Sequence, residues 1–234
     1  MNEDRRLRMR SLLAVEGDGT SSMLARICVL AASELGVTGA GVTLLDRADR
    51  TDAQPRLARA GDAAAARLED LQLTVGEGPG WSAVTVGAPV LVPDLGVADS
   101  RWPAFAPGAR ALGVAAVFAF PLTLGAIGLG SLDCYRASAG LLEPDQVTDG
   151  LLLADLAFEA VLAQISGGES GDLSWITDLH TEVHQASGIV SDQQGIAIQA
   201  ALLRIRGHAY AHDLPVTVVA REIVASRLVL DAEQ

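Results

Sequence analysis

The 234-residue chain contains no lysine, and all 17 of its basic side chains are arginine. Chemistry that depends on a lysine amine, such as phosphoryl transfer through a phosphate-loop lysine, is thereby excluded. Any anion contact has to come from planar, bidentate guanidinium groups. Cysteine is scarce too. Cys28 and Cys134 are the only two, with no CxxC pair, and both read as buried thiols. Histidine is absent before His180, which excludes a Ser-His-Asp or Cys-His enzyme, or a histidine-held haem, in that part of the chain. No long apolar run is free of charged and turn residues, so no transmembrane helix is expected. The opening "MNEDRRLRMR" leads into no continuous apolar stretch, so no secretory signal is expected and a cytoplasmic location is. A net charge of −12 argues against a broad basic footprint for nucleic acid.

What is present divides the chain in two. "ISGGESGD", Ile165 to Asp172, breaks an apolar helical pattern with glycine and serine. It sets a first domain at 1–166, a linker at 167–171 and a second domain at 172–234. In the first, "MLARICVLAASEL" has apolar residues at helical spacing and stops at Gly36. "GAGVTLLD", "PVLVPD", "GVAAVFAFPL" and "IGLGSLDCY" read as strands, the last two joined by a hairpin turn at "TLGA". An apolar helix from about Glu143 to Gln164 closes the domain, with Asp145 near its start. This order predicts an α+β domain around a largely antiparallel sheet. The closing helix carries more apolar surface than one domain side needs, which predicts a homodimer through it. The second domain reads as all helix. One stripe runs Leu173, Ile176, Leu179, Val183, Ala186 and Ile189, with Ser191 or Asp192 able to cap the next helix. A second runs Ile198, Ala201, Leu202, Ile205 and Ala209, and Pro215 can open a third helix with Val219, Ala220, Ile223 and Val224.

Two HxxxH pairs, His180/His184 and His208/His212, have spacing that can hold a divalent metal on one helix face. No HExxH accompanies them and no third ligand is evident, so structural or surface histidines are the expected reading, partner contacts are an alternative, and no metal is assigned. Arg204 and Arg206 flank the second stripe, Tyr210 shares a face with Arg206, and Arg221 and Arg227 project from the third helix. Arginine beside an exposed aromatic is the combination that stacks on and hydrogen-bonds unpaired RNA bases, although a solvated helix surface has the same composition. "VGEGPGW" lacks the phosphate-loop and dinucleotide patterns and reads as a tight turn before the helix "WSAVTVG". Trp81 there, with Arg101 and Trp102 in "DSRWPAF", is a candidate for lining a small-molecule pocket, or for covering a sheet edge.

Residues about 20–165 resemble a GAF domain: "LQLTVGEGPG", "PVLVPDLGVADSRWPAFAPGA", "GVAAVFAFPL" and "IGLGSLDCY" stand in that family's order. The resemblance implies a sensory module with a pocket for a small ligand or a site for a protein partner. Many relatives carry cysteine where this chain has Gly80, and the asparagine-lysine motif of cyclic-nucleotide binders is missing. Residues about 172–231 resemble an ANTAR domain, a three-helix RNA-binding module of transcription antiterminators, through "EVHQASGIVSDQQGIAIQAALLRIRGHAYAHDLPVTVVAREIV". That resemblance implies contacts with structured RNA hairpins from Ala186 and Gly188, placed at the end of the first helix, and from Arg204, Arg206, Tyr210, Arg221 and Arg227. Together they imply a signal-responsive regulator that is not an enzyme, with no cofactor and no membrane partner. A DNA-binding regulator and a protein-interaction module without nucleic-acid binding are the alternatives. The stretch from Leu179 to Gln234 has four arginines against six acids, so RNA affinity at physiological salt is expected to be modest.

Overall fold

The computed structural model describes residues 2–15, 22–46, 54–125, 127–167 and 181–230. Strands β1 (Gly39–Asp46), β2 (Gln54–Ala60), β3 (Val90–Val92), β4 (Ala116–Leu124) and β5 (Ile127–Arg136) form one sheet in the order β2-β1-β5-β4-β3. Every pairing is antiparallel, as expected for an α+β domain. The expected hairpin joins β4 to β5, with Leu124 opposite Ile127. Pro121 is tolerated inside β4 because β3 pairs only with Val117–Ala119, so no neighbour on that side needs the missing N–H. Strand β2, "QPRLARA", was not among the expected strands. It sits at a sheet edge, pairs with β1 alone, and so needs no apolar run.

Alternation along the strands builds two cores. On one face Ala116, Phe118, Phe120 and Leu122 of β4 and Leu132 and Cys134 of β5 meet helices α2 (Met23–Glu34) and α6 (Pro144–Gly167). Helix α1 (Asn2–Val15), also unanticipated, adds Met9 and Leu13 to this core. Its arginines clasp α6: Arg5 lies 3.1 Å from Asp145 and 3.5 Å from Asp149, and Arg10 lies 2.8 Å from Glu159. Part of the surplus apolar surface of α6 is therefore covered within the chain, leaving Leu151, Leu162 and Ile165 exposed. On the other face Val117, Ala119 and Tyr135 pack under α3 (Ala63–Val75), α4 (Pro79–Val86) and α5 (Phe105–Ala111). The turn expected in "VGEGPGW" is present. Gly76 caps α3 in the left-handed conformation (φ 71°) and Pro79 opens α4. Glu77 Oε1 between them accepts from the Ala104 and Phe105 N–H groups, capping α5.

Three helices follow: α7 (Thr181–Gln194), α8 (Ile198–Ala211) and α9 (Val216–Val224). Val183, Ala186, Val190, Ala201, Leu202, Ile205, Ala209, Val219, Ala220 and Ile223 form their shared core. Two expectations are corrected. Helix α7 runs through Ser191 and Asp192, so neither caps α8, whose N-cap is Ala197. The Ser191 hydroxyl instead donates to the Ile196 carbonyl, and Gly195 supplies the left-handed exit from α7. Ile198, assigned to the second stripe, is exposed at the start of α8. Gly167, the first residue of the expected linker, is the last of α6; linker residues 168–171, the domain start at 172, the stripe residues Leu173, Ile176 and Leu179, and His180 lie outside the described residues.

Candidate functional site

The second face of β5 is polar where β4 beside it is apolar. Ser131 and Asp133 point under α3, opposite in parity to Leu132 and Cys134, and Thr43 of β1 pairs with Ser131. From α3, Glu69 and Gln72, one turn apart, meet them. Glu69 Oε2 accepts from Thr43 Oγ1 at 2.7 Å and from Gln72 Nε2 at 3.0 Å. Asp133 Oδ2 accepts from Ser131 Oγ at 3.0 Å and from Gln72 Nε2 at 3.4 Å. Gln72 Oε1 accepts from the Gly80 N–H at 3.0 Å, tying α4 to the cluster. Burial pushes the Glu69 carboxyl well above the usual carboxylate range, and the adjacent Asp133 charge pushes it further; burial likewise raises Asp133. Two buried carboxyls this close resist ionising together, so they titrate as a coupled pair in which holding one proton is favoured. The cavity they line, with Leu73, Trp81 and Val84, measures about 20 Å³, which admits a single water. A Cβ on Gly80 would lie 2.4 Å from Asp133 Oδ2, so any side chain there, a cysteine included, requires the Asp133 carboxylate or α4 to shift.

Of the three pocket candidates only Trp81 lines this cavity. Trp102 is 4% exposed, packs edge-on against Phe105 and donates from Nε1 to Ser82 Oγ at 3.3 Å. It belongs to the core between sheet and helices, and Arg101 stacks over its outer side with Cζ 4.3 Å from the ring centroid. Neither residue lines the cavity, because the segment that carries them leads into α5 and closes that core. Both cysteines are buried, and burial pushes the Cys134 thiol up, away from reactive thiolate. A second, larger space of about 580 Å³ opens between α3, α5 and the α8–α9 turn, walled by Leu71, Val75, Leu112, Tyr210 and Leu214, with Asp70 at its margin.

The residues proposed to touch RNA separate into distinct environments. Ala186 is 0% exposed in the bundle core and reaches no surface, whereas Gly188 is open. Both sit mid-helix rather than at the end of α7. Arg204 donates to Gln194 Oε1, Arg221 lies 3.8 Å from Glu182, and Arg227 makes two bonds to Glu222 at 2.7 and 2.8 Å. Tyr210 is 66% exposed. Arg206, one turn earlier, instead turns toward the sheet domain and lies 5.9 Å over the Trp81 ring. His208 and His212 stack at 4.1 Å, and His212 Nδ1 lies 2.8 Å from the His208 carbonyl oxygen. Among the described residues no three metal-ligating side chains gather.

Sequence reasoning missed Glu69, Gln72 and Asp133. The signal was the Ser131/Asp133 alternation inside a strand flanked by apolar partners, matched by the i, i+3 pair on "LEDLQ". No family model and no curated protein matches the chain. Solved structures do resemble it. A domain of a two-component sensor histidine kinase protein from Sinorhizobium meliloti superposes with a TM-score of 0.52 at 16% identity, covering 64% of this chain and 97% of that one. The GAF domains of phosphoenolpyruvate-protein phosphotransferases from Acinetobacter and Coxiella burnetii give the same TM-score of 0.52 at 14% and 17% identity. They cover 73% and 71% of this chain and 98% and 99% of their own. At such identities the likeness speaks for fold alone: the sheet domain has the GAF fold.

Proposed function

We propose that this protein is a cytoplasmic, signal-responsive transcription regulator that binds structured leader RNA through an ANTAR module at residues about 172–231, acting as an antiterminator under control of its GAF-fold domain. The observation that carries the reading is the outer face of α8. Tyr210 presents an exposed ring that can stack on an unpaired base, and Arg206 stands one turn earlier on the same helix, its guanidinium lying against Trp81 and able to bond a base edge only after leaving it. The resemblance of the whole α7–α9 segment to that module supports the same assignment. A homodimer through α6 is supported by Leu151, Leu162 and Ile165, which stay exposed beside α1. One observation favours a protein-interaction module instead: Arg204, Arg221 and Arg227 are already engaged within the bundle.

The test is binding of the purified protein to RNAs carrying two short hairpins, at low and physiological salt, beside duplex DNA of matched sequence and a Tyr210→Ala variant. Selective RNA binding that the variant loses supports the reading. Preference for the duplex replaces it with a DNA-binding regulator, and failure to bind any hairpin at either salt favours the protein-interaction role. Light scattering that finds a monomer at micromolar concentration overturns the dimer.

A further inference from the structure

Helix α9 starts after Pro215, which has no side-chain acceptor, so the first N–H groups of the helix have no local cap. The sheet domain provides one. Thr74 of α3 directs its hydroxyl hydrogen to the Asp70 carbonyl at 2.7 Å, which leaves its oxygen to accept from the Val216 N–H at 3.0 Å. Asp70 Oδ2 accepts from Thr217 Oγ1 at 2.9 Å. Between them Leu73 is 3% exposed and belongs to the core of the bundle, although it stands on α3. Beyond the end of α3 the Arg206 guanidinium lies against Gly76, where a Cβ would come within 3.5 Å of Nη1, and over Trp81. Arg206 Nε and Nη2 are buried there and find no hydrogen-bond acceptor among the described residues. Burial pushes the Arg206 pKa down to about 10. A guanidinium with two nitrogens stripped of water and given no acceptor among the described residues is poorly compensated, so an acceptor-rich surface competes well for it.

We propose that the α3–α4 face of the GAF-fold domain is a docking surface for the C-terminal bundle and that it competes with RNA for Arg206. This rests on the RNA-binding reading above and adds its regulation. Docked, the bundle withholds Arg206 and presents Tyr210 alone. Released, α8 offers both residues on one face. The capping of α9 by Thr74 and Asp70 fixes the docked register, and the incompletely compensated Arg206 guanidinium keeps docking weak enough to be reversed. Leu73 and Trp81 touch the bundle and also line the polar cavity, so repacking around Glu69, Gln72 and Asp133 reaches the docking surface directly.

Two measurements on the full chain test this. The first is phenylglyoxal labelling of arginines read by peptide mass spectrometry, with exposed Arg101 as the internal reference. The second is affinity for the two-hairpin RNA. Leu73→Glu should release the bundle, and Thr74→Val, which keeps the shape of the side chain while removing the cap, should release it less. Expected are slow labelling of Arg206 in the parent protein, fast labelling in Leu73→Glu, and RNA affinity higher by about ten-fold in that variant, with Thr74→Val between. Arg206 labelling as fast as Arg101 in the parent overturns the docking. Released Arg206 with unchanged RNA affinity overturns the competition. If the released variant binds no RNA, the RNA-binding reading falls and the competition with it, while slow labelling in the parent still supports the docking surface.

Discussion

Glu69 and Asp133 occupy a space with room for one charge, and that fixes how the fold answers to pH. Burial, then the Asp133 charge, raises the Glu69 pKa well above its ordinary value of 4.5. A carboxyl that is harder to ionise in the folded chain takes up a proton on folding. Its contribution is complete below the ordinary value and is lost as pH climbs through the raised one. Asp70, raised by burial to about 6, acts in the same direction at the domain contact. Urea midpoints should therefore fall as pH rises from the ordinary carboxylate range through about 6 and on through the raised Glu69 value, and Glu69→Gln should flatten much of that slope. A parent protein equally stable across the range would show that the pair is hydrated. Gly80 supplies a second test, because its missing side chain is what lets α4 sit on Asp133. Gly80→Cys should cost about 1–3 kcal/mol by overpacking, read as a lower urea midpoint, and should not create a reactive thiol site without displacing the Asp133 carboxylate or α4.

Helix α1 shows which interaction wins when apolar burial and ion pairing occupy the same element. Its arginines face α6 from partly exposed positions, where each pair is worth about 0–1 kcal/mol. Met9 is fully buried between α1 and the core, and Met9→Ala should cost about 2–5 kcal/mol. Urea denaturation should rank Met9→Ala well below Arg10→Gln in stability, and the reverse order would mean that the clasp is electrostatic. The same contrast explains what was legible in the sequence. Strands β4 and β5 and helix α6 are buried broadly enough to read as apolar runs, and the stripes of α8 and α9 mark their inner faces. Helix α1 was hidden because its few apolar positions lie among charges, and β2 because an edge strand needs little apolar character. The placement of Arg206 and Tyr210 one turn apart on α8 was legible from i, i+4 spacing. The docking of Arg206 was not, because it depends on α3 residues such as Thr74, which meets Val216 across 142 positions of chain.

At the scale of the molecule, charge limits how RNA can be held. A chain with net charge −12 repels a polyanion except where arginines gather, and the bundle has four against six acids over Leu179–Gln234. Each phosphate neutralised adds about −0.7 to −0.9 to the slope of log affinity against log salt, so four arginines set a limit near −3 to −4. Arg204, Arg221 and Arg227 must first leave Gln194, Glu182 and Glu222, and Arg206 must leave Trp81, so the parent protein should stay shallower than about −3. Fluorescence anisotropy with the two-hairpin RNA from about 50 to about 300 mM salt measures this directly. A steeper slope would bring arginines of the sheet domain into the interface. If docking withholds one guanidinium, Leu73→Glu should steepen the slope by up to about one unit while raising affinity at low salt. Base stacking on Tyr210, being independent of counterion release, should persist at high salt in both proteins. The salt series thus separates the aromatic contribution, available in either state, from the arginine contribution that release of the bundle makes available.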